Sequence, residues 1–124
     1  MKIKTQYKNI KERINININD YKEYSELIEI EIKIAKNKYG KFINIKKEEE
    51  IYYHIYFNNN KKEIKRNFID KNAQIKVIKI VINYPIKSFE ELFYNCTFIE
   101  SIYFKKFFRT NITNMNYMFY DVHL

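Results

Sequence analysis

Residues 28–34 read Ile-Glu-Ile-Glu-Ile-Lys-Ile. Successive side chains of a strand point to opposite faces, so this period of two puts Ile28, Ile30, Ile32 and Ile34 on one face. Glu29, Glu31 and Lys33 fall on the other. A helix would scatter the same isoleucines around its circumference. The segment therefore reads as a half-buried strand, and its flanks are to be read for strands that could pair with it.

Immediately downstream, Lys36 to Gly40 (KNKYG) reads as a hairpin turn, with Asn37 or Gly40 available for positive φ, and Phe42 to Ile45 as the return strand. A charged stretch, Lys46 to Glu50, separates this hairpin from a strand over Ile51 to Phe57 (IYYHIYF). Asn58 to Asn60 form the next turn. Glu63 to Ile69 fits a strand or a short helix, and Asn72 marks another turn. Ile75 to Ile82 (IKVIKIVI) is a strong strand signal, ended by Asn83, Tyr84 and Pro85. Upstream, Ile14, Ile16 and Ile18 alternate with asparagines and suggest a short strand.

Past Pro85 the texture changes. Ser88 with Glu91 three residues on makes a capping-box pattern for a helix through Asn95, and Phe89, Leu92 and Phe93 share one face of it. A short strand follows over Ile99 to Phe104, then a basic loop through Phe107, Phe108 and Arg109. Thr113 or Asn114 can cap a second short helix, in which Met115, Met118 and Phe119 again fall at i, i+3 and i+4.

Composition narrows the chemistry. The 124 residues carry 23 basic and 15 acidic side chains, a formal charge of +8. Ile, Lys, Asn and Tyr supply 71 of the 124 positions, a bias towards A/T-rich codons, while Gly and Pro occur once each. One glycine cannot build a phosphate-cradling loop, which excludes P-loop and dinucleotide fingerprints. One cysteine, Cys96, makes neither an internal disulfide nor a multi-cysteine zinc site. His54 and His123 lie too far apart in sequence to form a metal-ligand pair. The Ile, Tyr and Phe content is too high for disorder. Met1 to Arg13 is basic but lacks the apolar stretch of a signal peptide, and no run is long enough to span a membrane, so the chain as written is expected inside the cell, or is a fragment of something longer.

The two expected helices are one motif written twice. Shifted by 26 residues, Lys87-Ser-Phe-Glu-Glu-Leu-Phe-Tyr-Asn-Cys96 lies over Thr113-Asn-Met-Asn-Tyr-Met-Phe-Tyr-Asp-Val122. Phe93 matches Phe119 and Tyr94 matches Tyr120. A period in the twenties with a short strand and a short helix per unit is the signature of a leucine-rich-repeat solenoid. Asn111-Ile-Thr-Asn-Met-Asn-Tyr-Met-Phe-Tyr-Asp121 resembles the phrase N-V-T-x-M-x-x-M-F of the BspA-like leucine-rich-repeat surface proteins. Leu92-Phe-Tyr-Asn-Cys-Thr-Phe-Ile-Glu-Ser-Ile102 is similar to the adjoining phrase M-F-x-x-C-x-x-L-x-x-I.

The resemblance covers residues 85–124. It implies structural repeat positions at Phe89, Leu92, Phe93, Cys96, Ile99, Ile102, Asn111, Met115, Met118 and Phe119, and a protein partner of the kind met in cell-surface adhesion. Members of the family carry many repeats, whereas this chain stops at Leu124, where the second unit's strand would begin. Val122 also stands where the phrase has Cys. The implied molecule is a truncated member, a fragment or an N-terminal cap.

The expected fold is α+β: antiparallel strands and hairpins over residues 1–84, a lead-in or cap, continuing into one complete and one truncated repeat-like strand/helix unit over 85–124. No catalytic residue, cofactor site or metal site is expected. Glu90 and Glu91 are adjacent on a helix and cannot flank one bond, and no Ser, His and Asp set can be assembled. Cys96 reads as a small buried hydrophobe and His54 as a half-exposed strand residue. Asn95-Cys-Thr97 and Asn111-Ile-Thr113 match the glycosylation pattern, as chance allows with 16 asparagines. The alternative function is a small basic nucleic-acid-binding domain. There Tyr52 and Tyr56 would stack bases and Lys61, Lys62, Lys65 and Arg66 would pair phosphates.

Overall fold

A computed structural model describes residues 27–83, 86–107 and 112–123. Its strands are β1 (Ile28–Ile34), β2 (Gly40–Lys41), β3 (Tyr53–Phe57), β4 (Phe68–Ile69), β5 (Val77–Ile82) and β6 (Ile99–Phe107). Four of them form an antiparallel sheet in the order β3-β5-β1-β6, and β2 pairs with β4 in a separate two-stranded ribbon. The fold is β-rich. The one helix among the described residues is a 3-10 helix over Lys47–Tyr52.

The strand expected from the IEIEIKI pattern is at the centre. Along β1, Ile30 faces Ile80 of β5 and Phe104 of β6, and Ile32 faces Ile78 and Ile102. Ile28, Ile30 and Ile32 are wholly buried, each contributing roughly 1.5–3 kcal/mol relative to an exposed side chain. The same face of the sheet carries Tyr53, Ile55 and Phe57 from β3, Ile78, Ile80 and Ile82 from β5, and Ile99 from β6. Phe42, Ile43, Ile69, Phe89, Leu92 and Phe93 complete this single core. On the other face Lys105 approaches Glu31 at 3.8 Å, and Lys79 lies opposite Glu31 in the register.

The hairpin expected from Phe42 to Ile45 does not form. Both hydrogen-bonding edges of β1 are taken, by β5 and β6, so no edge is left for a return strand. The chain turns at Ala35 to Lys38 and leaves the sheet. Phe42 N donates to the Asn67 carbonyl at 3.0 Å instead. The segment 63–69 contributes the two residues of β4 and a single antiparallel bridge from Ile64 to Ile55 of β3, and the strand expected to end at Phe104 runs on to Phe107. The strand expected over Ile14 to Ile18, and the loop residues Phe108, Arg109 and Asn111, lie outside the described residues.

With one glycine available, asparagine carries the left-handed backbone. Asn37, Asn58, Asn59 and Asn95 have φ between 50° and 61°. Asparagine tolerates that region best among side-chain-bearing residues. Asn58 also clamps the start of β5: its Oδ1 accepts from Lys76 N and its Nδ2 donates to the Gln74 carbonyl, both at 2.8 Å. Gly40, at φ 127°, has a second reason to be glycine, since a Cβ there would stand 3.1 Å from the Phe98 ring.

The two helices expected over Ser88 to Asn95 and from Thr113 or Asn114 are chains of turns. Glu91, Asn95, Tyr117 and Asp121 all have φ near +60°, which no α-helix accommodates. The expected caps are present but serve turns: Ser88 Oγ accepts from Glu90 N at 3.2 Å, and Asn114 Oδ1 from Asn116 N at 2.9 Å. Each reaches two residues ahead, the pattern of Ser and Asn turns.

Candidate functional site

Residues 86–96 and 112–122 lie side by side in parallel, offset by 26 positions. Ser88 forms a parallel bridge with Asn114. The Phe93 and Phe119 rings stack with centroids 6.2 Å apart, and Tyr94 and Tyr120 at 5.3 Å. Positive φ recurs at Glu91 and Tyr117, and again at Asn95 and Asp121. Phe104 and Phe107 of β6 meet edge to face, and Phe107 reaches the Phe89 ring, tying the turns to the sheet.

Backbone N–H groups in the first unit alternate between two tasks. Those of Leu92, Tyr94 and Cys96 donate to the carbonyls of Phe89, Glu91 and Phe93, closing successive turns. Those of Phe89, Glu91, Phe93 and Asn95 donate outward, to the carbonyls of Asn114, Asn116, Met118 and Tyr120, at 2.7–3.0 Å. The second unit repeats the first task, with Met118, Tyr120 and Val122 donating to Met115, Tyr117 and Phe119. Its outward N–H groups, on Met115, Tyr117, Phe119 and Asp121, have no acceptor among the described residues.

The opposite side of the stack is closed by Asn44. Its backbone N–H donates to the Leu92 carbonyl at 2.7 Å, and its Nδ2 to the carbonyls of Glu91 (3.0 Å) and Tyr94 (2.8 Å). Leu92 and Tyr94 are the counterparts of Met118 and Tyr120, whose carbonyls the first unit satisfies. Asn44 therefore stands in for a preceding unit. Nothing in the sequence singles it out from the other asparagines.

Exposure follows this asymmetry. Phe89, Leu92, Phe93 and Cys96 are buried, whereas Met115 is 45%, Phe119 40% and Tyr120 52% exposed. Met118 alone among the second unit's large side chains is buried, and Tyr117 is 63% exposed. Of the other repeat-motif positions, Ile99 is buried and Ile102 packs partly against the core. Burial pushes the Cys96 thiol up to about 11, so it stays protonated and inert.

The residues singled out for nucleic acid do not form one surface, since Tyr56 lies on the face of β3 opposite the Phe57 ring that Arg66 covers, and most are engaged. Lys79 Nζ sits 4.8 Å from the Tyr56 ring centroid. Arg66 pairs with Asp70 at 2.9 Å and lies over the rings of Phe57 and Phe68. Lys65 pairs with Glu63 at 2.8 Å. Tyr52 packs partly against the core, and Lys61 and Lys62 are exposed. A different basic surface was not evident from local sequence. Lys33, Lys36, Lys38, Lys71 and Lys76 line a cleft of about 870 Å³ with Glu100, because β1, its following turn and the approach to β5 converge there.

His54 is more constrained than a lone strand histidine. Its Nδ1 lies 2.8 Å from Glu63 Oε1 and its Nε2 2.9 Å from Asn83 Nδ2. Both ring nitrogens are therefore engaged by neighbouring side chains. The hydrogen bond from Lys65, helped by that from His54, holds the Glu63 carboxyl below its usual range against the opposing effect of burial. That stabilisation is present above the usual carboxylate pKa and is lost as pH falls through the lowered value.

Among the described residues, no group of three or more His, Cys, Asp or Glu is placed to hold a metal ion, and no helix is long and apolar enough to cross a membrane. Comparison with protein-family models, with curated proteins and with solved structures finds no match to this chain.

Proposed function

We propose that the protein is a non-enzymatic protein-interaction module whose working surface is the outer turn unit, similar to the BspA-like leucine-rich-repeat surface proteins and their role in adhesion. One observation carries this reading. The second unit exposes Met115, Tyr117, Phe119 and Tyr120. Contiguous apolar and aromatic surface of this kind marks interaction sites, and Tyr combines large contact area with a polar tip. The resemblance of the turn phrases to that family supplies the class of partner, a protein surface. Fold-level analogy alone would be a weaker warrant.

A second reading, nucleic-acid binding, is favoured by the lysine-lined cleft, whose lining holds five lysines and a single glutamate. The two are separated by titrating the protein against a panel of matrix proteins and against a single-stranded oligonucleotide, from low to high salt. Saturable protein binding that persists at high salt and is lost in a Tyr117→Ser/Tyr120→Ser variant supports the interaction module. Binding to the oligonucleotide alone, falling steeply with salt and unchanged in that variant, overturns it.

A further inference from the structure

Resting on the interaction reading above, we infer that the outer edge of the second turn unit binds, in trans, a partner peptide that carries the same Met-x-x-Met-Phe-Tyr turn phrase and lies parallel to it. The contact between the two units shows what such an edge accepts. N–H groups of Phe89, Glu91, Phe93 and Asn95 bond to alternate carbonyls of the second unit. Displaced by 26 residues, the N–H groups of Met115, Tyr117, Phe119 and Asp121 project the same way.

This edge is a row of donors. The carbonyls of Met115, Tyr117 and Phe119 already accept turn hydrogen bonds from Met118, Tyr120 and Val122. An ordinary strand edge offers donors and acceptors in alternation, and can pair with a strand of either direction. A donor row needs a partner that presents successive free carbonyls, as the second unit does towards the first.

Two occupants are disfavoured by the same bookkeeping of donors and acceptors. A second copy joined edge to edge about a twofold axis would set N–H against N–H. A second copy stacked head to tail would need the acceptor side of its first unit, where Asn44 already holds the Leu92 and Tyr94 carbonyls. A separate peptide in the turn conformation has neither obstacle. Its aromatic pair would cover Phe119 and Tyr120 as those rings cover Phe93 and Tyr94.

The test uses the full chain and a fluorescent synthetic peptide with the sequence of residues 112–123, followed by anisotropy and by amide exchange. Expected is saturable binding with slowed exchange at Met115, Tyr117, Phe119 and Asp121. The scrambled peptide should not compete. A Phe119→Ser/Tyr120→Ala variant should bind about tenfold more weakly, two stacked ring contacts being lost. Its thermal midpoint reports whether the stack is intact, and single-ring variants replace it if it is not.

Binding no better than the scrambled peptide, or protection elsewhere on the molecule, overturns the inference. So does protection of those four amides by concentration of the protein alone, which would make a second copy the occupant. If the peptide fails while a matrix protein still binds through Tyr117 and Tyr120, only the assignment of the occupant falls, and the interaction module stands.

Discussion

The two turn units repeat one backbone pattern, with Phe93 and Tyr94 matched by Phe119 and Tyr120, and they differ in what flanks them. Among the described residues, the first has a neighbour on each side, Asn44 and the second unit, while the second has a neighbour on one side only. Phe93 is fully buried and Phe119, its counterpart, is 40% exposed. Burial at these positions therefore comes from the next layer and not from the unit's own fold. A turn unit of this kind cannot enclose its apolar residues alone, which is the physical reason such units occur in stacks.

Truncating the paired phenylalanines breaks this comparison most sharply. Phe93→Ala should destabilise by about 3–5 kcal/mol, since it opens a cavity between the turn stack and the sheet core. Phe119→Ala should cost about 1 kcal/mol or less, the stacking contact alone. Urea unfolding of the two variants measures the difference. Equal losses would mean that the second unit is buried in solution.

Asn44→Ala comes next. It removes the donor to the Glu91 and Tyr94 carbonyls and should cost about 1–3 kcal/mol. Asn114→Ala, which loses its turn bond to Asn116 and its contact with Glu90, should cost less, roughly 0.5–1 kcal/mol. A reversed order would place the closed side of the stack at the second unit.

The smallest effect is expected from relieving left-handed backbone. Glu91→Asn and Tyr117→Asn place in that region the residue that already occupies it at Asn37, Asn58 and Asn59. Each should stabilise by up to about 1 kcal/mol, read as a rise in thermal midpoint. Destabilisation by both would show that the side chains outweigh the backbone strain.

The sheet and the stack were unequally legible in the sequence. Strict alternation in 28–34 and in Ile78, Ile80 and Ile82 locates β1 and β5, because a period of two has one physical meaning. Pairing was not legible: Phe42 to Ile45 looks like a return strand until β5 and β6 claim both edges of β1. The 26-residue offset is visible in the side chains, but the conformation is not. Apolar residues at i, i+3 and i+4 mark a helix face, and successive turns closed by bonds three residues apart produce the same spacing. Asn95 and Asp121, both tolerant of positive φ, were the local signal for turns. Asn44 carried no signal, since its role depends wholly on where the chain brings it.

Residue-resolved amide hydrogen exchange in the native state tests the open stack most directly. Slow exchange is expected at Phe89, Glu91, Phe93 and Asn95, whose N–H groups bridge the units, and fast exchange at Met115, Tyr117, Phe119 and Asp121. Uninterrupted protection from Met115 to Asp121, as a helix would give, or equal protection at the two sets of four amides, would contradict a stack that is open on one side.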